Sequence, residues 1–313
     1  MKGMILAAGF GTRLRPLTCT LPKPMVPLCG KPLIGWAVES FLDAGIDEVV
    51  VNLHHLPEAI ERHLLDTYGR RATFFFSREE EEILGTGGGI RRVRAQLERE
   101  EMFFLVNGDT VQFPKYAALR EALFARDALA ALTLRHPPAH DSFTPVHFDG
   151  GLVTGFGGGT GEALMFAGSH AIRSRIFRHL PDREVSGIVE HVYRPLLESR
   201  IEVLAGVVDD GPWFDIGTPQ RYLEAVAGLC PNPIGARSAI EGEVRESAVW
   251  DDVFIARGVT VERCIVAHGV ELRHGAYRDS VILRDDDAIP RDEYERADGN
   301  VIAPFGRRHG RQR

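Results

Sequence analysis

Two glycines, an arginine and a lysine near the amino terminus have the residue types and spacing of a phosphate-binding site. Gly9 and Gly11 follow an apolar run, Arg13 comes two residues later, and Lys23 stands between two prolines. Glycine lets backbone N–H groups turn toward one point, where they bind phosphate oxygens. Arginine can donate to two phosphate oxygens at once, and lysine supplies a compact positive charge. We therefore expect this segment to bind a phosphate group.

The elements that must position this segment alternate between strand and helix patterns. Strand-like runs lie at residues 2–7, 48–53, 72–76, 102–107 and 129–134, and helical patterns lie at 33–44, 57–68, 89–98 and 114–126. Repeated βαβ units of this size predict an α/β fold with a doubly wound, Rossmann-like and mainly parallel sheet. Ligands bind such sheets at the carboxyl ends of the strands, which is where the glycine-containing segment begins.

The second half of this α/β region is less regular. Glycine-rich extended pieces at residues 145–161 indicate a hairpin or an insert over the sheet edge, before a strand at 163–167, a helix at 185–199 and a strand at 201–208. Thr218 is predicted to cap a helix that runs to about residue 227. Residues 1–229 are therefore expected to form the catalytic domain, with a linker at 231–233.

Beyond the linker the helical period disappears. Apolar residues recur at spacings near six, with frequent glycines, over roughly sixty residues. This spacing is typical of hexapeptide coils, so we predict a small left-handed parallel β-helix over residues 234–303. An irregular fragment of a β-sandwich is the alternative. The basic residues 304–313 are expected to form a disordered tail.

Composition excludes several classes of protein. The chain has 313 residues, is 44% hydrophobic and carries a net charge of −7, which does not favour nucleic-acid binding. Its four cysteines are scattered, and we interpret them as free thiols in a reducing compartment. The apolar run at the amino terminus is too short for a signal peptide, and no segment has the length of a membrane span. These patterns predict a soluble cytoplasmic protein with no membrane partner.

Several motifs together resemble the sugar-1-phosphate nucleotidylyltransferases. The opening signature covers residues 6–18, 22–27 and 30–32, and further motifs lie at 84–90, 107–109 and 213–219. Their order and separation fit that family over residues 1–228. The chain is similar above all to the mannose-1-phosphate guanylyltransferases and the N-acetylmuramate-1-phosphate uridylyltransferases. Several branches of the family also carry a hexapeptide-like tail.

The resemblance implies a reaction in which an oxygen of a sugar-1-phosphate attacks the α-phosphorus of a nucleoside triphosphate and pyrophosphate leaves. The nucleophile is already an anion, so positioning and electrostatic stabilisation carry the catalysis. It also implies roles for individual residues. Arg13 and Lys23 are the catalytic residues, Asp109 and Asp215 bind Mg²⁺, and Glu162 and Gly168 are the candidates for sugar binding. The nucleotide-binding residues implied are Leu6, Ala8, Gly9, Gly11, Thr12, Gly85, Thr86, Gly87 and Asn107.

Some of these assignments have structural alternatives. Asp109 fits a turn after a strand, and Asp215 fits the cap of the helix that starts near Thr218. The acidic run at residues 79–82 is interpreted as solvated, with Glu82 as a possible contact to the base. Many family members carry a Glu-Lys-Pro motif whose lysine binds the sugar phosphate. Residues 157–162 contain no lysine, which leaves that interaction unassigned.

The substrates implied are a nucleoside triphosphate, GTP or UTP, and a sugar-1-phosphate. A mannose-1-phosphate guanylyltransferase is slightly favoured, with an N-acetylmuramate-1-phosphate uridylyltransferase or a heptose-1-phosphate guanylyltransferase as alternatives. A cytidylyltransferase for a phosphorylated alcohol shares the opening motif. A hypothesis of another class is a non-catalytic paralogue that binds nucleotide-sugars and regulates an enzyme. Homo-oligomers are expected to form through the C-terminal β-helix.

Overall fold

The computed structural model describes residues 1–138, 143–230 and 233–306. Contacts divide the chain into two units. Unit 1 consists of Met1–Gly9 and Ile34–Trp213, and unit 2 consists of Phe10–Leu33 and Phe214–Arg313. The predicted linker lies largely outside the described residues, and so does most of the predicted tail, from residue 307 onward.

Residues 1–230 alternate strands and helices, with short 3₁₀ turns at Thr12–Leu14, Lys23–Met25 and Ser174–Arg178 and a π-helix at Val189–Tyr193. In chain order the elements are β1 (Lys2–Ala7), α1 (Leu17–Thr20), β2 (Pro27–Leu28), β3 (Lys31–Pro32), α2 (Leu33–Asp43), β4 (Glu48–Leu53), α3 (Pro57–Tyr68), β5 (Thr73–Arg78), α4 (Gly85–Arg92), α5 (Arg94–Leu97), β6 (Met102–Asn107), β7 (Thr110–Gln112), α6 (Tyr116–Ala125), β8 (Ala130–Arg135), β9 (Val146–Asp149), β10 (Leu152–Phe156), β11 (Glu162–Arg173), α7 (Arg194–Glu198), β12 (Leu204–Val208), β13 (Trp213–Asp215) and α8 (Pro219–Leu229).

Unit 1 contains a nine-stranded sheet in the order β5-β4-β1-β6-β11-β8-β12-β10-β9. Strands β5, β4, β1 and β6 run parallel, and Leu6 of β1 lies between Asn52 of β4 and Asn107 of β6. The loops after these four strands therefore leave from the same edge of the sheet. Strands β4 and β6 are apolar along most of their length because both faces are buried, as expected when helices cover a parallel sheet.

The other half of the sheet is mixed. Strand β12 pairs parallel to β8, whereas β11 runs antiparallel to both β6 and β8. Strands β9 and β10 form the hairpin that the glycine-rich residues 145–161 predict, and they pair antiparallel. The register of β11 against β8 shifts between Phe166 and His170, which marks a bulge at Gly168.

Two predicted helices have different boundaries in the structure. The helix expected at residues 89–98 is divided into α4, which already begins at Gly85, and α5. The helix expected at 185–199 starts later, with the π-helix at Val189–Tyr193 followed by α7. The early start of α4 and the late start of the second helix have one cause. The Ser186 carbonyl accepts hydrogen bonds from the N–H groups of Gly87 and Gly88, and Ser186 N–H donates to the Leu84 carbonyl. The backbone of Ser186 thus completes the start of α4 and is not available to begin a helix of its own.

The C-terminal part of unit 2 consists of short strands, and none of the described residues after 230 is helical. The strands are β14 (Ala239–Ile240), β15 (Glu243–Arg245), β16 (Ala248–Val249), β17 (Phe254–Ile255), β18 (Thr260–Glu262), β19 (Ile265–Val266), β20 (Glu271–Leu272), β21 (Ala276–Arg278), β22 (Ser280–Arg284), β23 (Glu295–Ala297) and β24 (Asn300–Pro304). From β14 to β19 each strand pairs parallel with the strand three places later. Strands β22, β24 and β23 close this part as an antiparallel sheet.

The apolar residues at near-six spacing form the core of these strands. One cluster of buried residues contains Val249, Val253, Ile255, Val259, Val261, Cys264, Val266, Val270, Leu272 and Ile282. The spacing therefore identifies inward-facing positions. Three rows of parallel strands, β14-β17-β20, β15-β18-β21 and β16-β19-β22, contribute residues to this cluster.

The prediction of four free thiols is wrong for one pair. Cys29, after β2, and Cys230, after α8, form a disulfide with a Cα–Cα distance of 5.2 Å and a sequence separation of 201 residues. Both belong to unit 2, and a second contact acts beside them: the Tyr222 hydroxyl of α8 donates to the Pro27 carbonyl of β2 over 2.6 Å. Sequence spacing did not reveal the pair because the chain returns to Cys29 only after all of unit 1. Cys19 and Cys264 are free.

Helix length also bears on membrane association. Among the helices of the described residues, none combines the length and apolarity that crossing a membrane requires.

Candidate active site

The loop after β1 brings the first two candidate phosphate ligands of unit 2 together. Gly11 has φ 63°, and a Cβ at this position would lie 2.7 Å from Cβ of Lys23 and 3.0 Å from Cγ2 of Thr18. Only glycine fits there, because both the backbone conformation and the contact exclude a side chain. The Thr18 hydroxyl donates to the Gly11 carbonyl over 2.9 Å. Lys23 is 4% exposed, so the loop packs along its buried stem.

Arg13 lies in the 3₁₀ turn Thr12–Leu14 and reaches the last sequence motif. Its guanidinium lies against the backbone of Gly217, where a Cβ would be 2.9 Å from Nη1 and 3.0 Å from Cζ. Thr12 and Arg13 are exposed. In unit 2 the structure thus brings Gly11, Lys23 and Arg13 together with the segment that follows Asp215.

Asp215 ends β13 and forms an ion pair with Arg221 of α8. The alternative that Asp215 caps this helix is wrong, because the Thr218 hydroxyl accepts from the N–H of Arg221 over 3.3 Å and is the cap. The prediction of Thr218 as cap is thereby confirmed. The Thr218 side chain already accepts from the Arg221 N–H, so the carboxylate of Asp215 is directed to the Arg221 guanidinium instead.

The first carboxylate motif of unit 1 follows β6 directly. Gly108 N–H donates to the Leu6 carbonyl over 2.8 Å, and a Cβ at Gly108 would lie 2.8 Å from Cγ2 of Ile5. The turn is therefore held against the end of β1, with Asp109 half-buried beyond it. Leu6, Ala8 and Gly9 lie on the same sheet edge as this turn, because β1 and β6 are parallel neighbours.

Asn107 and Gly168, predicted for nucleotide and sugar, lie side by side. Gly168 has φ 90°, and a Cβ there would lie 2.5 Å from Nδ2 of Asn107. The bulge in β11 thus makes room for the amide of Asn107. Beside it, the indole N–H of Trp213 donates to the carbonyl of Ala167 over 2.9 Å. These contacts join the residue before Gly168 to the first residue of the motif at 213–219.

The predicted base-binding residues form the start of α4. Gly85 has φ 70°, and a Cβ at Gly85, Gly87 or Gly88 would lie 2.8, 2.7 or 2.1 Å from atoms of residues 184–186. The glycines therefore allow the first turn of this helix to approach the backbone of residues 184–186. Thr86 lies within this turn and is half-buried. Nothing in the spacing of the sequence pointed to residues 184–186.

The interpretation of residues 79–82 as solvated is wrong for Glu79. This residue is 2% exposed, whereas Glu80, Glu81 and Glu82 are exposed. Its two carboxylate oxygens accept hydrogen bonds from Asn52 and from the N–H of Leu84, each over 2.8 Å. A buried carboxylate that accepts two hydrogen bonds has a structural role, here in the segment that leads into α4. A run of four glutamates gives no sign of which one is buried.

Glu162, a candidate for sugar binding, belongs to a charged triad on the surface of unit 1. Its Oε1 is 2.9 Å from Nε2 of His136, and Nδ1 of the same imidazole is 2.8 Å from Oδ2 of Asp210. Hydrogen bonds to Asp210 and then to Glu162 raise the pKa of His136, and the bonds from His136 lower the pKa of Asp210. A protonated His136 would hold both carboxylates in place.

A small cavity of unit 1 lies beside Trp213 and Ala167. Arg135 stacks its guanidinium over the Trp213 ring at 5.2 Å and donates to the Gly211 carbonyl. Its Nε is buried without a hydrogen-bond partner, and so is Nε2 of Gln112. Both residues line the cavity. Two unpaired donors in one cavity indicate a place for an acceptor group.

No cluster of three or more His, Cys, Asp or Glu side chains that could hold a metal ion occurs in the part of the chain that the structure describes. Asp109 lies between β6 and β7, Asp215 is the last residue of β13, and both side chains are half-buried. Carboxylate oxygens are the donors that Mg²⁺ prefers, and this ion commonly takes its other ligands from phosphates and water. The donor chemistry of these two residues therefore fits Mg²⁺.

Comparisons with known proteins agree with this set of motifs. A model of the nucleotidyl transferase family matches residues 2–231. The mannose-1-phosphate guanylyltransferase of Mycobacterium tuberculosis is 30% identical over 91% of this chain and 80% of its own. The N-acetylmuramate alpha-1-phosphate uridylyltransferase of Neisseria meningitidis is 33% identical over 72% of this chain and 97% of its own.

A solved structure extends the comparison to the fold. HddC from Yersinia pseudotuberculosis matches with a TM-score of 0.60 at 23% identity, over 73% of this chain and 99% of that one. At this identity the likeness concerns the fold alone. Together with the family model and the curated relatives it leaves one assignment: the chain belongs to the nucleotidyl transferase family, and within it to the sugar-1-phosphate nucleotidylyltransferases.

Proposed function

We propose that this enzyme transfers a nucleotidyl group from GTP to mannose-1-phosphate with the help of Mg²⁺. A phosphate oxygen of the sugar-1-phosphate forms a bond to the α-phosphorus, the bond from this phosphorus to the bridging oxygen breaks, and pyrophosphate carries away the electron pair. No general base is needed, because the nucleophile is an anion. The residues must therefore hold two polyanions in line and neutralise the charge of the leaving group.

The observation that carries this proposal is the grouping in unit 2. Arg13 lies against Gly217, and Lys23 packs against Gly11. Gly11 admits no side chain, so its backbone sets the position of the Lys23 stem, and the lack of a Cβ at Gly217 makes room for the Arg13 guanidinium. We assign Arg13 and Lys23 to the β- and γ-phosphates and the departing pyrophosphate, where fixed positive charge lowers the energy of the transition state. The N–H groups of Gly9, Gly11 and Thr12 assist them.

Asp109 and Asp215 are proposed to hold Mg²⁺ together with phosphate oxygens of the substrates. When bound, the ion supplies positive charge at the reacting phosphates. The ion pair of Asp215 with Arg221 supports this assignment, because it orients the carboxylate. Arg221 is then a positioning residue for Asp215.

The base and ribose are assigned to Leu6, Ala8, Gly85, Thr86, Gly87 and Asn107. The sugar is assigned to Glu162 and Gly168, and we add Arg135 to this side. Arg135 is the cation beside Trp213 and Ala167, and its buried Nε lacks a protein partner. It is therefore our candidate for the role of the lysine that residues 157–162 lack.

The choice of substrate rests on how far the relatives match. The match to the guanylyltransferase of Mycobacterium tuberculosis spans 91% of this chain and so must include part of residues 233–306, whereas the match to the uridylyltransferase spans 72%. This difference favours GTP and mannose-1-phosphate. The higher identity of the uridylyltransferase, 33%, keeps UTP with N-acetylmuramate-1-phosphate as the second candidate. A heptose-1-phosphate remains the third.

For the C-terminal part we propose a left-handed parallel β-helix that mediates self-association. The parallel pairing of every strand from β14 to β19 with the strand three places later supports such a coil. A catalytic domain at residues 1–229, a β-helix at 234–303 and a cytoplasmic location stay predictions.

Release of pyrophosphate across a panel of nucleoside triphosphates and sugar-1-phosphates tests the proposal. The expected result is turnover in Mg²⁺ that is greatest with GTP and mannose-1-phosphate and is abolished by a chelator. Greater turnover with UTP and N-acetylmuramate-1-phosphate would select the second candidate. Absence of turnover with every pair would refute the proposed reaction.

A further inference from the structure

A chain of hydrogen bonds in unit 1 joins the end of β1 to the residue before α4. The Ala7 N–H donates to Oδ1 of Asn52 over 2.9 Å. Nδ2 of the same amide donates to Oε1 of Glu79 over 2.8 Å, and Oε2 of Glu79 accepts from the Leu84 N–H over 2.8 Å. Four residues from four separate segments thus form one continuous path.

The register of the sheet explains why these groups meet. Asn52 lies opposite Leu6 in β1 on one side and opposite Ser77 in β5 on the other. Glu79 is the first residue after β5, and its N–H donates to the Leu53 carbonyl over 2.7 Å. Nδ1 of His54 also donates to the Glu79 carbonyl. The backbone of Glu79 is therefore fixed to the end of β4, which directs its side chain to Asn52.

Burial makes these bonds strong and their loss costly. Asn52 is 3% exposed and Glu79 is 2% exposed. A charged acceptor shielded from water strengthens the bonds it receives, and a donor left unpaired there pays the full cost of its desolvation. Helix α4 covers the pair at Gly89. A Cβ at Gly89 would lie 3.2 Å from Nδ2 of Asn52 and 3.3 Å from Oε1 of Glu79.

We propose that Asn52 and Glu79 are positioning residues. They set the start of α4, residues 84–87 (the base loop), relative to the end of β1 and the residues after it, 7–9 (the phosphate loop). The inference rests on the proposed function, in which Gly9, after β1, contacts the phosphates and Gly85–Gly87, at the start of α4, contact the base or ribose. With these hydrogen bonds intact, both loops are held in the positions that bind one nucleotide before the nucleotide arrives. Breaking the path at Glu79 frees the N–H of Leu84 and hence the start of α4, so nucleotide affinity and selection among bases fall together.

A single substitution at Glu79 or Asn52 breaks this path of hydrogen bonds. The two substitutions together restore it, with donor and acceptor exchanged between residues 52 and 79. In Glu79→Gln the amide nitrogen must face either Asn52 Nδ2 or the Leu84 N–H, so one donor meets another. Asn52→Asp alone sets two carboxylates side by side. In the double variant N52D/E79Q, the new carboxylate accepts from Ala7 and from the new amide, whose oxygen accepts from Leu84. All three bonds and the single negative charge are restored. Glu80→Gln, on the exposed neighbour, is the matched control for the loss of charge.

The measurements are KM for the nucleoside triphosphate, KM for the sugar-1-phosphate, kcat, and the equilibrium affinity for each nucleotide without sugar. We expect Glu79→Gln to weaken nucleotide binding and raise its KM about tenfold, the scale of one bond to a charged group. The KM for sugar-1-phosphate should change less than about twofold, and the preference among bases should shrink. The double variant should return nucleotide affinity and base preference to within about threefold of the original.

Two results would overturn the inference. One is a Glu79→Gln enzyme that matches Glu80→Gln in nucleotide affinity and base preference. The other is a double variant no better than its worse single parent. If Glu79→Gln does not fold, the double variant decides alone, since the path requires it to fold and to bind nucleotide as the original does. Absence of turnover in the unmodified enzyme would instead refute the proposed reaction, and the nucleotide affinities would still test the path.

Discussion

The guanidinium of Arg13 rests on the backbone of Gly217, with Nη1 2.9 Å from the position that a Cβ would occupy. Gly217 is buried, and it is not among the residues with positive φ, so its backbone admits alanine and the obstacle is the contact alone. Gly217→Ala should therefore displace Arg13 and lower kcat about tenfold, less than the roughly 10²-fold loss expected for Arg13→Ala. In the Arg13→Ala background, Gly217→Ala should add little, because both changes remove the same interaction. Independent, multiplying losses in kcat would show that Gly217 acts in another way.

Asp109→Asn tests the proposed metal site. The amide keeps the size of the side chain but removes the charge that Mg²⁺ requires, so the rate of pyrophosphate release should fall by about 10² or more. The melting temperature should change little, because the substitution keeps the size of the side chain and the Gly108 N–H still holds the turn to the Leu6 carbonyl. A variant with the original rate would reject Asp109 as a principal metal ligand.

Arg135→Met tests the sugar side of the site. The change keeps much of the apolar stem beside Trp213 but removes the charge and the Nε donor, so KM for the sugar-1-phosphate should rise about tenfold while KM for the nucleotide stays unchanged. Arg120→Met, on the exposed face of α6, is the control for the loss of one surface arginine. A rise in the KM for the nucleotide instead would move Arg135 to the other substrate.

His170 predicts how stability depends on pH. Burial lowers the pKa of its imidazole to about 3, and Nδ1 is 2.8 Å from the Tyr193 hydroxyl. In the unfolded chain its pKa is about 6.5, so between about 3 and about 6.5 the unfolded state binds the extra proton. Stability from the neutral imidazole is therefore complete above about pH 6.5 and is lost as the pH falls, by about 2 kcal/mol at pH 5.

Denaturant unfolding of the original chain and of His170→Asn at pH 7 and pH 5 measures this contribution. Between pH 7 and pH 5 the unfolding free energy of the original chain should fall by about 2 kcal/mol more than that of His170→Asn. The same difference at both pH values would show that His170 does not titrate in this way.

The disulfide predicts a response to reductants. Cys29→Ser, or reduction with dithiothreitol, should destabilise unit 2 by about 2–5 kcal/mol, because the crosslink restricts the unfolded chain. Cys19→Ser is the matched control, since Cys19 is a free thiol. Thermal unfolding of Cys29→Ser should no longer respond to dithiothreitol. An equal sensitivity in Cys29→Ser would contradict the pairing.

Much of the α/β part can be read from the sequence. Apolar runs bounded by glycine or proline located β1, β4 and β6 to the residue, and Thr218 was identified as a cap. Near-six spacing identified the buried residues after residue 233. These successes share a cause, which is that burial and backbone chemistry act over a few neighbouring residues.

The rest depended on contacts between distant segments. Ser186 completes the start of α4, Arg13 rests on Gly217, and Glu79 is buried by Asn52. A residue reveals no partner at a distance of tens or hundreds of positions, so each of these looked like an ordinary polar residue. The link from Cys29 to Cys230 was missed for the same reason.

That link changes what a cut in the chain means. All of Ile34–Trp213 lies between the two cysteines, so this entire stretch is enclosed in a covalent ring closed by sulfur. A single peptide bond hydrolysed inside the ring leaves two pieces that still migrate as one species until a reductant is added. The loop after β1 and the C-terminal strands therefore stay covalently linked after any one break within Ile34–Trp213.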